Sequence, residues 1–451
     1  MTGPSGGNRV NRWRRLLGND RGVALVLALM ILLTLTGLVL AFLSVSALEP
    51  QISRNHSDTV RARYVAEAGL EYAFDTLATN ISAWDTYLAG ATCTTGAVLG
   101  TASSTLPGLT SANGTFTLRV RNDCKSGDNK ITGVTVEASA SATTDTNNKL
   151  IVMSTGAVGN ATRTITMVVS KAVVPPISGS LSFPGLQSDV NFSGSAFLID
   201  GRDTRMSDSP GSPTGTAPAV YGISVNGSLP ALETQIESAL ANNQQNDVRG
   251  RDETSSTNPP GTTSGADTVQ TDATLTSQAI TDYVAALKAH ADISITSSPS
   301  SPYSINGIGS TCSTDVNSAT CWGTTSKPKI VYIKGDLPDL TTQFTALDVS
   351  GTSEGTGILI VEDGNVDISG SFRWNGPIIV TGNNVGIRYR GGGSQSVYGV
   401  VVVNELNADG GTNLEGDITG NASLLYSSEA LTLVQNSLSR RLVTTSSWSE
   451  Q

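Results

Sequence analysis

The longest apolar run of the chain lies near its N-terminus and is flanked by basic residues on one side only. Residues 23–43 are almost entirely apolar, and no charged residue occurs from Gly22 to Leu48. An α-helix needs about 20 such residues to cross the hydrocarbon of a bilayer. Arginines precede the run within residues 1–22, so the positive-inside rule predicts a cytoplasmic N-terminus and a translocated C-terminus. The pattern predicts a transmembrane helix over residues 23–43.

The apolar pattern changes after this run from continuous to one-sided. One stripe of a helical wheel is apolar, and charged residues lie broadly opposite. The stripe comprises Ile52, Ala66, Leu70, Phe74, Leu77 and Ile81, and the opposite face comprises Arg54, Asp58, Arg61, Glu71 and Asp75. Arg63 and Glu67 have the i,i+4 spacing of a surface ion pair. One helix is therefore predicted over residues 23–83, apolar all round in its first half and amphipathic in its second.

Short stretches of alternating apolar and polar residues follow the helix. They lie at residues 114–122, 131–141 and 162–174, and each has the pattern of a half-buried antiparallel strand. Packed against the long helix, they predict an α+β module whose head is a small antiparallel sheet over residues 84–175. Two consecutive prolines at its end predict a break, because proline cannot donate to a β-ladder.

Residues 176–440 show short apolar strands separated by Gly, Asn and Asp, which predicts a mainly-β domain. The strand positions Ile358, Ile378, Val400 and Leu424 are spaced by 20, 22 and 24 residues. One buried strand group in each period of about 20 residues favours a right-handed parallel β-helix, because sandwich strands recur at shorter intervals. An antiparallel β-sandwich is the alternative.

Two helical patterns interrupt this domain, at residues 229–245 and 276–293. Both show apolar residues at i, i+3 and i+4 spacing. The intervening residues are polar and rich in Pro and Gly, which predicts an exposed loop over residues 246–275. Together the two patterns predict an insertion over residues 229–293.

The composition agrees with a turn-rich β protein. The chain has 47 Gly, and only 5% of its residues are aromatic and 15% charged. Its formal charge is −10, although the first 22 residues are basic. The acidic remainder argues against nucleic-acid binding, which depends on basic surface.

The four cysteines form two groups that are local in sequence. Cys93 lies near Cys124, and Cys312 lies near Cys321. An even number with local partners predicts two disulfides in an oxidising compartment, and four buried free thiols are the alternative. Neither pair has the second CxxC or the histidine that a zinc site needs.

The inventory of catalytic side chains is poor. His56 and His290 are the histidines of the chain, and no Ser-His-Asp or Cys-His set follows from the spacing. Two acidic clusters have the oxygen ligands that Ca²⁺ takes, and a carboxylate pair could also hydrolyse sugars. They comprise Asp200, Asp203 and Asp208, and Glu362, Asp363, Asn365 and Asp367. Turn-forming Asp and Asn at strand corners explain the same residues without a metal. We therefore expect no enzyme activity, no cofactor and no metal.

The order of features at the N-terminus resembles that of type IV pilin-like proteins, specifically the PilX class of minor pilins. A short basic leader ends in Gly22, an apolar segment follows at once, and YVAEAGLEYA occupies residues 64–73. The resemblance implies that residues 1–22 are a leader peptide. It also implies that prepilin peptidase cuts between Gly22 and Val23, and that the new N-terminus is methylated.

Two positions depart from the pattern of most pilins. The mature chain would begin with Val23, where most begin with Phe, and Leu27 stands where most carry Glu. That Glu is thought to neutralise the N-terminal amine of a neighbouring subunit, so its absence argues against a major subunit and for a tip position. Gly37 and Pro50 also belong to the helix that would lie first in the membrane and then in the filament.

The resemblance implies a minor pilin that is assembled near the tip of a type IV pilus, primes assembly and presents a large head for adhesion or tip-protein docking. Its partners would be other pilins, prepilin peptidase, the inner-membrane assembly platform and a PilY-like tip adhesin. The precursor would lie in the inner membrane with a periplasmic C-terminus, and the mature chain on the pilus or cell surface. A tip pseudopilin of type II secretion is one alternative. A membrane-anchored β-helix adhesin or carbohydrate-active protein is the other.

Overall fold

The computed structural model describes residues 20–100, 110–137, 141–172, 174–176, 178–194, 196–251, 268–336, 343–407 and 413–450. A long helix comes first, a small sheet packs against its second half, and a larger part built mainly of parallel β-sheets follows. The predicted combination of a long N-terminal helix with mainly-β structure is confirmed.

The long helix, α1, runs over Asp20–Thr79 and continues through Pro50. Its side chains become buried only in the second half, where Ala62 is the first fully buried one among the described residues. Ile52, predicted to open the buried stripe, is 65% exposed, so the prediction was wrong at this residue. The helix projects beyond its own head at that point. A 3₁₀ turn at Ile81–Ala83 and a short helix, α2 (Trp84–Tyr87), end this region.

The head sheet contains β1 (Ala97–Val98), β2 (Thr115–Asn122), β3 (Lys149–Val158) and β4 (Ala161–Lys171). All their pairings are antiparallel. The strand predicted at residues 131–141 is wrong, since residues 131–137 contain no strand. Instead, Asn147 and Thr146 donate their backbone N–H groups to the Glu137 carboxylate, which holds this stretch as a loop. The sequence analysis missed β3, which supplies the central strand.

The helix lies very close to the head sheet at Gly156. A Cβ atom at that position would lie 2.1 Å from the carbonyl oxygen of Ala62 and 2.6 Å from the backbone nitrogen of Ala66. The contact therefore requires small residues on the helix and no side chain at all on β3. The helix and the sheet share a core in which Leu70, Leu77 and Val152 are buried.

The larger β part consists of many short and a few long strands. They are β5 (Gly179–Phe183), β6 (Val190–Ser193), β7 (Leu198–Asp200), β8 (Tyr221–Asn226), β9 (Val248–Arg249), β10 (Val269–Asp272), β11 (Ile293–Ser297), β12 (Tyr303–Asn306), β13 (Lys329–Gly335), β14 (Thr345–Ser350), β15 (Thr352–Glu362), β16 (Asn365–Ser369), β17 (Ser371–Gly382), β18 (Ile387–Arg390), β19 (Ser394–Glu405), β20 (Gly416–Thr419) and β21 (Asn421–Tyr426). The helices α3 (Ala231–Ala239), α4 (Ser277–Lys288) and α5 (Ser428–Leu442) and the last strand, β22 (Val443–Glu450), complete the chain.

These strands form two sheets in which the pairings between named strands are parallel. The larger sheet has the order β10-β8-β5-β19-β17-β15-β13-β11, with β21, β7 and β9 attached, and the smaller has the order β12-β14-β16-β18-β20-β6. From β13 to β21 successive strands alternate between the two sheets. The pairing is parallel, as predicted, and the description as a right-handed β-helix stays a prediction.

The observed pairing partners of Ile378 on the neighbouring long strands differ by one residue from those that the predicted period aligns with it. Ile378 pairs with Leu359 and Val401, rather than with Ile358 and Val400. Leu359, Ile378 and Val401 face the core between the two sheets, whereas Ile358 and Val400 face α4 and α5 on the outside. Because both faces of the sheet are buried, both sets are apolar, and periodicity in sequence cannot distinguish them.

Glycines pair with one another across the long strands. Gly376 has a φ of 127°, and a Cβ atom there would lie 2.2 Å from the carbonyl oxygen of Gly357 on the neighbouring strand. Gly399 pairs with Gly376 and has a φ of 152°. These positions require glycine, because the backbone of the neighbouring strand leaves no room for a side chain.

The two helices predicted at residues 229–245 and 276–293 correspond to α3 and α4. The exposed loop predicted at residues 246–275 lies partly outside the described residues. The last strand, β22, pairs with β4 and not with the larger β part. The predicted second domain ends at residue 440, and no element was predicted for residues 443–450, which belong to the head sheet.

Candidate functional site

The first half of α1 is an exposed apolar rod. Within the described residues, one helix is long and apolar enough to span a bilayer, and none of its most apolar window is buried within the chain. Gly22, Val23 and Leu27 all lie in this exposed part, and Leu27 is 55% exposed. A row of large exposed apolar side chains in water would be unfavourable, so this rod requires lipid or other proteins around it.

Gly37 and Pro50 lie further along the same exposed stretch. A Cβ atom at Gly22 or Gly37 would meet no atom of this chain within 4 Å. Neither glycine is therefore required by packing inside the molecule. Pro50 lies inside the helix, where it removes one backbone hydrogen-bond donor.

Two exposed ion pairs link the second half of α1 to the C-terminal elements. Arg63 lies 3.0 Å from Glu67 and 3.5 Å from Glu450 of β22. Asp75 pairs with Arg440 of α5 at 2.5 Å. The C-terminal residues thus hold the helix at two points. Sequence analysis missed Arg440 and Glu450, whose partners are remote in sequence.

Two disulfides are present, and the described residues contain no free cysteine. Cys93 is bonded to Cys124 and Cys312 to Cys321, with Cα atoms 5.1 and 4.9 Å apart. The first bond ties the segment after α2 to the end of β2. The second closes a short loop of turns between β12 and β13.

A buried ion pair lies beside the first disulfide. The Arg121 guanidinium donates to both carboxylate oxygens of Asp128, at 2.5 and 2.8 Å, and one of its nitrogens lies 3.4 Å from the Cys93 carbonyl oxygen. Lys125 donates its backbone N–H to the same carboxylate. This loop is therefore stabilised by a charged cluster as well as by the covalent bond.

A second buried carboxylate, that of Asp145, lies beside the end of β4. Burial raises the pKa of Asp145, and the nearby Lys171 ammonium, 3.5 Å away, opposes the shift. The same ammonium lies 4.6 Å from the centre of the Trp84 ring. Lys171 is the last residue of β4, so these contacts fix the point where the chain leaves the head.

In the first acidic cluster, the carboxylates of Asp200 and Asp203 accept hydrogen bonds from other residues of the chain. Asp200 accepts two hydrogen bonds from the Arg202 side chain, at 2.7 and 2.9 Å. Asp203 accepts from the Ser428 backbone and hydroxyl at 2.9 and 3.0 Å, and from the Ala217 backbone. The Asp203 carboxylate therefore stabilises the first turn of α5. Because Asp200 and Asp203 both accept hydrogen bonds from the protein, they do not provide two free carboxylates for acid and base chemistry.

The residues of the second acidic cluster lie in different environments and do not share one site. Glu362 accepts from Lys288 at 3.0 Å and from the Tyr332 hydroxyl, on the face covered by α4. Burial raises the pKa of Asp363, which occupies a corner with a φ of 57°. Asp367 instead lies 3.4 Å from Arg390 on the smaller sheet. Among the described residues, no group of three or more His, Cys, Asp or Glu is placed to hold a metal ion.

Residues 21–71 match the family model described as PilX N-terminal. The match includes Gly22, the apolar rod and the beginning of the contact with the head. The resemblance to PilX-type sequences is confirmed for this segment, which is a small part of the chain. No curated protein matches the chain.

One solved structure that the chain resembles is the competence-associated pilin ComZ from Thermus thermophilus. The sequence identity is 11% and the TM-score is 0.24, over 88% of this chain and 98% of that one. With so low a TM-score, the likeness carries no argument about fold or function.

Proposed function

We propose that this chain is a minor subunit of a type IV pilus. One observation carries the proposal: a single helix of 60 residues is an exposed apolar rod in its first half and the spine of its own head in its second. A subunit of a helical filament needs both properties, because the rod must leave lipid and pack among other helices without disturbing the head. The PilX-type segment at residues 21–71 supports the same function.

The mechanism is structural rather than catalytic. Prepilin peptidase cuts after Gly22, and the helix that begins at Val23 remains in the inner membrane until the assembly platform moves it into the filament. There the exposed leucines and valines pack against the helices of other pilins. Leaving such a side chain in water would cost about 1.5–3 kcal/mol, and either lipid or the filament avoids this cost. The transfer from lipid to filament therefore depends on close packing between helices and not on removal from water.

The subunit is placed at or near the filament tip. Leu27 offers no carboxylate to the N-terminal amine of a neighbouring subunit. The helix therefore cannot make the charge pairing that a repeated subunit makes with each neighbour, whereas a subunit at the tip does not require it. The large β part lies beside the head, since Arg440 of α5 pairs with Asp75 of α1. This bulk restricts close lateral packing, and at the tip it is free to prime assembly and to carry adhesion or the docking of a PilY-like adhesin.

Mass spectrometry of the chain recovered from sheared filaments tests the proposal. The expected mature N-terminus is N-methylated Val23. An intact Met1, or cleavage near Ala47, would overturn it in favour of a plain anchor or a secreted protein. Recovery of the processed chain from a type II secretion apparatus, but not from pili, would assign it to the tip pseudopilins.

A matched pair of variants sharpens this test. Gly22→Val should leave the leader attached and keep the chain out of filaments, because the cleavage site is lost. Gly37→Val adds the same side chain further along the rod, where no atom of this chain lies within 4 Å of the added Cβ. It should be processed normally, so cleavage and assembly defects can be told apart.

A further inference from the structure

The C-terminal strand leaves one edge of the head sheet open. In the sheet order β1-β2-β3-β4-β22, the described part of the chain gives β22 a single neighbour, β4. The loop at residues 131–137 covers the face opposite the helix, where the Ser447 hydroxyl donates to the Thr132 carbonyl oxygen at 2.8 Å. The unpaired backbone groups of such an edge are a template for pairing with another extended chain.

A groove runs beside this edge, between β22 and α1. It has a volume of about 400 Å³ and is lined by Glu67, Leu70, Glu71, Met167, Thr445 and Trp448. Leu70 and Met167 form an apolar floor and are each 6% exposed. Trp448 is 55% exposed, although it is the largest side chain of the strand. An exposed indole above an apolar floor is a typical anchor of a protein–protein contact.

Glu67 and Glu71 lie on the rim of the groove and Glu450 lies nearby, and the three glutamates differ in whether they have an ion-pair partner. Glu67 is paired with Arg63, and Glu450 is shared by Arg63 and Arg163 at 3.5 and 3.8 Å. Glu71 is exposed and makes no ion pair with any described residue. The groove therefore presents one uncommitted carboxylate beside Trp448, where a cationic side chain would complete it.

We propose that this edge and groove dock an extended, basic segment of a partner protein, which adds to the head sheet as a strand next to β22. An aliphatic or aromatic side chain of that segment packs on Trp448, and a Lys or Arg side chain pairs with Glu71. Strand addition takes its affinity from backbone hydrogen bonds and its specificity from alternate side chains, which fits an apolar floor with an acidic rim. The site does not depend on the filament role of the chain.

A second copy of this chain is a poorer occupant. Pairing two β22 edges about a twofold axis would run the strands antiparallel, so each end of the groove would meet the opposite end in the other copy. The cations at that end, Arg63 and Arg163, are already paired with Glu67 and Glu450, so Glu71 would gain no uncommitted cation. Charge complementarity thus selects a basic partner.

Binding of synthetic peptides to the full chain in detergent tests the proposal, with fluorescence anisotropy as the readout. A short peptide in which valine and lysine alternate should bind, and binding should weaken as salt is raised to about 0.5 M, because the charges are exposed. A peptide with glutamate for lysine, and a valine–lysine peptide interrupted by proline, should bind at least tenfold more weakly. Trp448→Ala should weaken the valine–lysine peptide about tenfold, and Glu71→Gln about threefold with a smaller salt dependence.

Two control variants keep the test specific. Tyr72→Ala removes an exposed ring on the opposite flank of α1, against Phe116, and Glu354→Gln removes an exposed carboxylate on the parallel sheets. Both should leave peptide binding unchanged. Equal binding of the glutamate or proline peptides, or insensitivity to both groove variants, would overturn the proposal. Trp448-dependent self-association without peptide binding would assign the edge to a second copy instead.

Discussion

Val443 and Lys171 are register partners on neighbouring antiparallel strands, although residues 172–442 lie between them in the sequence. Beside this pair, the backbone N–H of Ala172 donates to the carbonyl oxygen of Leu442 at 2.6 Å. The chain therefore leaves the head sheet and returns to it at one point. The larger β part is inserted between two neighbouring strands of the head, and does not simply follow it.

Replacing residues 173–442 by a short turn should therefore leave a head that still folds. Lys171 and Val443 already have the spacing of a hairpin, so a turn can join β4 to β22. The shortened chain should unfold cooperatively and keep the Cys93–Cys124 disulfide, although it loses the Asp75–Arg440 pair. Thermal unfolding by circular dichroism, with thiol titration, measures both properties.

A chain truncated after residue 442 is the matched control. It keeps the insertion but lacks β22, so it should unfold at a lower temperature than the shortened chain. The reverse order would show that the head depends on the insertion and not on the strand.

Gold labelling adds a test of the filament role: a subunit confined to the tip by its bulk should spread along the filament once the insertion is removed.

The sequence predicted the elements whose causes are local. The apolar rod, the amphipathic continuation around Leu70 and Leu77, and the two inserted helices all follow from spacing within one element. The return of residues 443–450 to the head was not predicted, because the eight residues are mostly Ser and Thr and their pairing with β4 is non-local. The register of Ile378 was missed for another physical reason: both faces of its strand are buried, and apolar residues on both sides erase the alternation.

Gly156→Ala should destabilise the head strongly. The new Cβ would lie 2.1 Å from the Ala62 carbonyl oxygen, so α1 must move away from β3 over their contact. Overpacking of this kind costs about 1–3 kcal/mol, and here the obstructing atoms are backbone. Urea unfolding of the detergent-solubilised chain measures the loss. Gly392→Ala is the control, because a Cβ there meets nothing within 4 Å, and an equal loss in both variants would contradict the close contact.

The buried pair Arg121–Asp128 should be sensitive to loss of either partner alone. Asp128→Asn leaves the guanidinium buried without a counter-charge, and breaking such a pair costs about 3–5 kcal/mol. The double variant Arg121→Met/Asp128→Leu should recover much of this loss, because no unpaired charge remains. Denaturant unfolding of the single and double variants gives the comparison. Additive losses in the double variant would argue against the interaction between the two groups.

Asp203→Ala should lower stability without affecting any turnover of polysaccharide. Its carboxylate accepts two hydrogen bonds from Ser428 at the start of α5, and hydrogen bonds to a charged group contribute about 1.5–3 kcal/mol. Glu354→Ala, at an exposed carboxylate whose ion-pair partner Arg373 lies 3.7 Å away, should cost less. Loss of a measurable hydrolytic activity in the Asp203 variant, at unchanged stability, would instead support a catalytic role for the cluster.

Reduction of the two disulfides should have unequal effects. The Cys93–Cys124 bond joins residues separated by 31 positions, and the Cys312–Cys321 bond joins residues separated by 9. In the chain-entropy account, closing the longer loop stabilises the fold by about 3.7 kcal/mol and the shorter by about 2.6 kcal/mol. Cys93→Ser/Cys124→Ser should therefore lower the unfolding temperature more than Cys312→Ser/Cys321→Ser. Thermal unfolding of the exported chains gives this order. Alkylation of all four cysteines in the untreated protein would contradict both bonds, whereas equal losses would show that packing around each bond outweighs loop length.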